Sequence, residues 1–350
     1  MSVERATIAG PDGIERESGR ERLSRLIGGG WIFLLLIGLV VLFSVLRPAQ
    51  FGSSYNLTML AVNAAILLVL SIGQTFVITA AGIDLSVGSV LVFASVTSAQ
   101  SMLWLSGTPG NTYGTTSGGW DVILTGLLVA LLSGAAWGAL NGWLVAKARI
   151  PALIVTLGSL GMALGFSQIL TGGVDVRAVP ELLVTEVGAG TILGVPVLVV
   201  IAMLVTIVAA VVLHMTRFGL HVFAVGSNAE AARRAGIRLP SRIIAIYTLS
   251  GTLAGLAAMM SIARFSTTTI GGHAMDNLST ISAVVLGGTS LFGGIGSIAG
   301  TVIGVFIPIV LLNGFVILGI PPFWQTVAMG AVLILAVWID QLKRRARERG

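Results

Sequence analysis

Residues 192–213 read ILGVPVLVVIAMLVTIVAAVVL, a run of 22 residues without a charged side chain. A hydrocarbon layer about 30 Å thick is crossed by about 20 apolar residues in helical form. The run is therefore predicted to be a transmembrane helix. The whole chain agrees, because 55% of its 350 residues are hydrophobic and only 10% are charged, whereas soluble domains carry about 25% charged residues.

Extending this interpretation along the chain predicts an all-α polytopic membrane protein of about ten transmembrane helices. Two pairs of neighbouring spans are separated only by short breaks, near 80–89 and 286–300. The predicted spans are 29–46, 58–80, 86–105, 121–146, 152–171, 192–213, 243–263, 279–292, 298–318 and 323–341.

The basic residues indicate the orientation of these spans. With both termini cytoplasmic, 17 of the 20 Lys and Arg residues lie inside, and only Arg47, Arg177 and Arg264 lie outside. This asymmetry follows the positive-inside rule. It requires an even number of spans, so a chain with eight spans would satisfy the rule as well as one with ten. The predicted organisation is a polar cytoplasmic tail at 1–28, a transmembrane domain at 29–341 and a basic cytoplasmic tail at 342–350. The longest cytoplasmic loop is 214–242.

The first break reads AAGIDLSVGS at 80–89 and contains Asp84. An aspartate at the centre of a membrane helix costs about 2.5–3.5 kcal/mol on insertion scales. Two interpretations are compatible with this position. Asp84 or Ser86 caps the following helix, or the segment is a broken helix whose polar atoms line a pathway.

The second break reads LGGTSLFGGIGSIAG at 286–300 and contains six glycines, two serines and no charge. Glycine permits both a positive φ and a close approach of backbones. The segment is interpreted either as tight packing around a turn or as a second discontinuous element beside a pathway.

Neutral polar side chains are rare within the predicted spans. Singly, each is typical of an interhelical hydrogen bond, but together such groups suit a hydroxyl-rich solute. The amides are Asn63, Gln74, Asn141, Gln168, Asn313 and Gln325. The candidate pathway residues are Asn63, Gln74, Asp84, Ser86, Gln168, Thr289, Ser290, Asn313 and Gln325. The three histidines, His214, His221 and His273, are interpreted as isolated loop or interfacial residues.

The loop at 214–242 is predicted to contain a helix of about two turns. Either a capping box formed by Ser227 and Glu230 or the side chain of Asn228 begins it. Gly236 suits the position after its C-terminus, and Pro240 prevents its continuation. Such a short helix is marginal in water, so it is expected to dock on the lipid interface or on a partner protein.

Within this loop, EAARRAG at 230–236 resembles the EAA-x-x-x-G signature of permeases of ATP-binding-cassette (ABC) importers. GIDLSVGS at 82–89, VGSNAEAARRAGI at 225–237, VVLGGTSLFGGIGSIAGT at 284–301 and PPFWQ at 321–325 are similar to segments of the ribose/xylose/arabinose-type monosaccharide permeases. The resemblance covers roughly residues 55–340. Members of that family often carry an acidic residue in a Y-E-L-like stretch, whereas here the stretch is Met275, Asp276, Asn277 and Leu278. This difference leaves the particular sugar open.

The resemblance implies a monosaccharide permease subunit in the cytoplasmic (inner) membrane. It implies three kinds of protein partner: a separate ABC ATPase subunit that carries ATP and Mg, an extracytoplasmic sugar-binding protein, and a second permease copy or paralogue. Membrane lipid surrounds the assembly. The residues expected to couple the chain to the ATPase are Ser227, Asn228, Glu230, Ala231, Ala232, Arg233 and Gly236.

The residues also argue against other functions. A P-loop requires G-x-x-x-x-G-K-[ST], but the only lysines, Lys147 and Lys343, do not follow glycine. With no cysteine and no catalytic motif, neither an enzyme nor a metal site is expected, and no cofactor or nucleic acid is expected on this chain. An ion-coupled secondary transporter and a non-transporting membrane scaffold remain the alternatives.

Overall fold

The computed structural model describes residues 19–108, 114–273 and 276–348, which are predominantly helical. The α-helices, in chain order, are α1 (Gly19–Leu46), α2 (Pro48–Phe51), α3 (Ser54–Thr79), α4 (Val87–Leu105), α5 (Trp120–Ala146), α6 (Ala152–Thr171), α7 (Val197–Met215), α8 (Arg217–Ser227), α9 (Ala229–Arg234), α10 (Leu239–Phe265), α11 (Asp276–Leu286), α12 (Ile298–Ile317) and α13 (Pro322–Glu348). One π-helix spans Leu183–Gly188.

Among the described residues, four short strands lie in the connections between helices. Strand β1 (Gly114–Thr116) pairs in parallel with β2 (Ala178–Pro180), so the connection after α4 is tied to the connection after α6. Strands β3 (Thr191–Ile192) and β4 (Val195–Pro196) form an antiparallel hairpin. Because this hairpin occupies the start of the predicted span at 192–213, α7 begins only at Val197.

In the described part of the chain, seven helices are long and apolar enough to cross a membrane: α3, α4, α5, α6, α7, α10 and α12. Two further apolar stretches, Ile32–Leu46 and Phe323–Leu335, are shorter. The fold class predicted from the sequence, an all-α polytopic membrane protein, is therefore confirmed. The count of ten spans and the cytoplasmic position of the termini stay predictions.

Other predicted boundaries also differ from the structure. The predicted span at 279–292 is helical only as α11, whose 11 residues extend about 16 Å, roughly half of a hydrocarbon layer. The glycines that follow end this helix. At the N-terminus, residues 1–18 of the predicted tail lie outside the described residues, and α1 begins at Gly19, so the rest of that tail is helical.

Helix α3 lies at the centre of the bundle, and α7 lies at its edge. In its most apolar window, 83% of the residues of α3 are buried, against 22% for α7. The outer face of α7 presents large apolar side chains, among them Leu204 and Ile207. This distribution is expected where lipid, rather than protein or water, covers a helix.

Helices α5 and α10 cross at backbone contact. Gly134 and Gly138 lie one turn apart on α5, and a Cβ atom at these positions would overlap the carbonyl oxygens of Gly251 and Tyr247. Small residues at this spacing allow membrane helices to approach closely. Close approach increases van der Waals contact, which helix association depends on because the hydrophobic effect does not drive helices together within lipid. The crossing fixes Tyr247 beside the first break.

Candidate functional site

The first break, between the end of α3 and the start of α4, is filled by a buried polar network. Asp84 is 3% exposed, and its Oδ1 accepts hydrogen bonds from Ser86 N (2.9 Å) and Ser86 Oγ (2.6 Å). The amide of Asn141 on α5 donates to Ser86 Oγ at 2.9 Å and accepts from Ser159 on α6. Asp84 is thus held by side chains and not exposed to lipid.

The backbone of the first break is hydrogen-bonded as well. Gln74 Nε2 on α3 donates to the carbonyl oxygen of Asp84 at 3.1 Å. The hydroxyl of Tyr247 on α10 donates to the carbonyl oxygen of Ile83 at 3.0 Å. Ser86 occupies the N-cap position of α4, but its side chain makes no capping hydrogen bond, since its hydroxyl donates to Asp84. Side chains from α3, α5, α6 and α10 therefore fix this segment.

The second break, between α11 and α12, is built from backbone contacts. Gly288, Gly293 and Gly294 have positive φ values of +87°, +80° and +75°, which glycine adopts without steric cost. The amide of Gly294 donates to the carbonyl oxygen of Thr79 at 2.8 Å. A Cβ atom at Gly226, near the end of α8, would overlap that same oxygen. Thr79, Gly226 and Gly294 thus meet at one point, called here the glycine junction.

Helix α9 follows the glycine junction directly. Asn228, not Ser227, caps it, because Asn228 Oδ1 accepts a hydrogen bond from Ala231 N at 2.9 Å, whereas Ser227 is the last residue of α8. At the other end, Gly236 has the positive φ expected of a residue that follows a helix, +85°. Ala232 is buried at 5% exposure, so one face of the helix packs against the rest of the chain.

The other face of α9 is exposed and charged. Glu230 pairs with Arg233 at 2.8 Å and with Arg234 at 3.2 Å, and the three side chains are between 51% and 78% exposed. Hydrogen bonds from Arg233 and then from Arg234 lower the pKa of the Glu230 carboxyl from its usual value. This face offers charge and hydrogen-bonding groups to a partner.

A cavity of about 550 Å³ lies between α3 and α12 and is called here the α3–α12 cavity. His273 is on its wall, 7% exposed, with Nε2 2.8 Å from Ser261 Oγ and Nδ1 2.7 Å from Asp276 Oδ2. The prediction that His273 is an isolated residue was therefore wrong. The spacing of three residues between His273 and Asp276 was the available signal, whereas the contact with Ser261 arises only from the fold.

The predicted pathway residues fall into separate places. Gln74, Asp84 and Ser86 are in the buried network, and Thr289 (buried) and Ser290 (partly buried) are in the second break. Asn63 and Asn313 line the same cavity, the α3–α12 cavity. Asn313 also exchanges hydrogen bonds of 2.8 and 3.2 Å with Asn56, so it joins α12 to α3. Gln168 is exposed on α6 and Gln325 is partly exposed on α13.

A bundle of apolar helices interrupted by polar and glycine-rich segments, with a short charged helix beside them, defines a polytopic membrane protein of the permease type. The chain belongs to the family described as branched-chain amino acid transport system / permease component, which matches residues 56–337.

Named relatives are similar over most of their length. The ribose import permease protein RbsC of Escherichia coli strain K12 is 35% identical over 314 residues, covering 89% of this chain and 93% of that protein. The fructose import permease protein FrcC of Rhizobium meliloti is 33% identical, covering 89% and 85%. The xylose transport system permease protein XylH of Escherichia coli strain K12 is 30% identical, covering 89% and 91%. No solved structure matches. The family resemblance predicted from the four motifs is confirmed.

Proposed function

We propose that this chain is the membrane-spanning permease subunit of an ABC importer that carries a monosaccharide across the cytoplasmic membrane. The relatives named for ribose, fructose and xylose import support a sugar, although the family description names branched-chain amino acids. The α3–α12 cavity favours the sugar. Its described lining contains no Lys or Arg to pair with a carboxylate, and its two titratable groups, His273 and Asp276, are already paired with each other.

The observation that carries the coupling part of this proposal is α9. It is short and capped at both ends, buries Ala232 and exposes Glu230, Arg233 and Arg234. A separate ATPase subunit, with ATP and Mg bound to it, presses on this face. The motion passes through the glycine junction to α3 and to the second break, because α8 contacts both there.

A basic groove beside α9 favours the same partner. The groove encloses about 910 Å³ between the end of α5 and the start of α10, and its lining includes Lys147, Arg149, Arg233 and Arg238. Complementary charge steers association and selects partners. An ATPase with an acidic rim suits this groove, and a second permease and an extracytoplasmic sugar-binding protein complete the importer.

The test is reconstitution of the chain in liposomes, with and without the ATPase that co-purifies with it, followed by uptake of D-ribose, D-xylose and D-fructose. Uptake of one of these sugars is expected only with the ATPase, its binding protein and hydrolysable ATP. An ionophore that collapses ion gradients is expected to leave it unchanged. Uptake by the chain alone, abolished by the ionophore, contradicts the proposal and favours the secondary transporter.

A further inference from the structure

Helix α11 begins in the interior of the bundle. Its C-terminal end joins the second break, which is hydrogen-bonded to the last residue of α3. Counting back 11 residues places Asp276 about 16 Å from that level, near the middle of a layer about 30 Å thick. The preceding segment has descended to the same depth, because the carbonyl oxygen of His273 lies against Gly88 in the first turn of α4.

The segment between α10 and α11 is anchored at its start. Asp175, which follows α6, accepts hydrogen bonds from Thr268 Oγ1 at 3.0 Å and from Ile270 N at 2.8 Å. Non-helical backbone at membrane depth is stable only where protein buries it or where it lines a watery cavity. Here the α3–α12 cavity lies beside it, and Thr269, Gly272 and His273 form part of the cavity wall.

The cavity has the composition of a site for a small polar solute. Its volume falls within the range of about 300–1,000 Å³ typical of such sites, which combine apolar walls with a few polar groups. The apolar walls come mainly from α3 and α12, with Phe265 at the end of α10. The polar lining consists of Asn63, Thr269, His273, Asp276, Ser279 and Asn313.

Three of these polar groups retain hydrogen-bonding capacity within the described part of the chain. Asp276 uses Oδ2 for His273 and leaves Oδ1 without a hydrogen bond. Thr269 Oγ1 is buried without a partner, and the exposed amide of Asn63 makes no side-chain hydrogen bond. An acceptor, a hydroxyl and an amide around one cavity match the alternating donors and acceptors of a polyol.

We propose that the α3–α12 cavity is the permease's own binding site for a monosaccharide, and that Asp276 is the residue that accepts hydrogen bonds from its hydroxyl groups. His273 and Ser261 are positioning residues, since Ser261 holds the imidazole and the imidazole holds one carboxylate oxygen. This proposal deepens the proposed function and rests on it for the class of solute.

The absence of cysteine from the chain makes a labelling experiment specific. Asn63→Cys places one thiol in the cavity, and Gln168→Cys places one on an exposed face of α6 as the matched control. Each variant is reconstituted with its ATPase in lipid nanodiscs and treated with a charged methanethiosulfonate. We expect the thiol at position 63 to react several-fold faster than that at position 168. Equal, slow reaction means that lipid or protein covers the cavity, and it overturns the proposal.

A second arm tests the ligand. D-Ribose, D-xylose and D-fructose are added with the binding protein, and the sugar that is transported is expected to slow labelling at position 63 and not at position 168. If ATP-driven uptake proceeds while no sugar protects position 63, this proposal fails and the proposed function stands. If uptake does not require ATP, the proposed function fails, while the labelling still reports whether the cavity binds sugar.

Kinetics distinguish binding from a structural role. Asp276→Asn is expected to raise KM for the transported sugar about tenfold or more, the loss expected for one hydrogen bond to a charged group, with kcat little changed. His273→Asn keeps a donor for Asp276 and is expected to raise KM less than His273→Ala. A fall in kcat alone, or equal effects of the two His273 variants, contradicts the assigned roles. Labelling at position 63 in each background verifies that the cavity is intact.

Discussion

The two breaks in the helical bundle resemble each other in composition but are stabilised in different ways. In the first, side chains from four helices converge on Ile83, Asp84 and Ser86. In the second, glycines bring Gly294 to the carbonyl oxygen of Thr79 without any intervening side chain. Two similar glycine-rich sequences therefore form different structures. The first is held by side-chain hydrogen bonds, and the second is held by contacts between backbones.

This difference has mechanical consequences. Many hydrogen bonds must break together before the first break moves, and a buried polar network of this kind strongly specifies one arrangement. The second break is more exposed, with Phe292 at 46% and Ile295 at 42%, and it touches the end of α8 beside α9. We therefore expect the first break to act as a fixed point and the second to move during transport.

The largest expected effect is that of Gly226→Val. The added side chain collides with the Thr79 carbonyl oxygen and with Gly294, and overpacking typically costs about 1–3 kcal/mol. We expect ATP-driven uptake to be abolished, because the junction separates. Gly158→Val on α6 is the matched control, since nothing lies within 4 Å of a Cβ atom there. Normal uptake by Gly226→Val shows that the glycine junction is loose, and it contradicts the close backbone contact assigned to the second break.

Asp84→Ala is expected to have the next largest effect. It leaves the Ser86 amide and hydroxyl buried without their acceptor, a loss of about 1–3 kcal/mol, visible as a lower midpoint of thermal unfolding in detergent. Asp84→Asn retains the acceptor oxygen and is expected to restore most of the stability. Uptake is measured for both variants. A stable Asp84→Asn protein that does not transport shows that the carboxylate has a further role in the pathway.

Tyr247→Phe is a milder change in the same network. It removes the hydrogen bond to the carbonyl oxygen of Ile83 and keeps the buried ring, so the expected loss is about 0.5–1.5 kcal/mol. Thermal unfolding measures it, and Tyr55→Phe at an exposed position is the control. Because the first break is held by several side chains, uptake is expected to remain. A complete loss of uptake indicates that this segment moves.

Sequence reasoning succeeded where the signals were local. The apolar runs identified the membrane helices, and Asn228, Pro240 and Gly236 marked the limits of α9, because caps and breakers act within a few residues. It could not find the glycine junction, whose members lie at positions 79, 226 and 294, nor the pairing of Asn141 with Ser86. It also predicted a helix over 279–292 that is too long at its C-terminal end, where the glycines after Leu286 end α11.

The smallest expected effect on stability is that of Glu230→Gln on α9. Exposed ion pairs contribute little to folding, and Glu230 faces outward with Arg233 and Arg234, so thermal unfolding is expected to stay unchanged. Because the pKa of the Glu230 carboxyl is lowered, the group stays charged from neutral pH to below 4.5, the usual pKa of a glutamate. Any stability from the pairs is therefore present above that pH and lost only as the pH falls through the lowered value.

If Glu230 contacts the ATPase, the Glu230→Gln variant lowers sugar-stimulated ATP hydrolysis without altering stability, and Glu181→Gln is the control. Unaltered hydrolysis leaves the glycine junction, and not the charged face of α9, as the part that transmits the ATPase's motion.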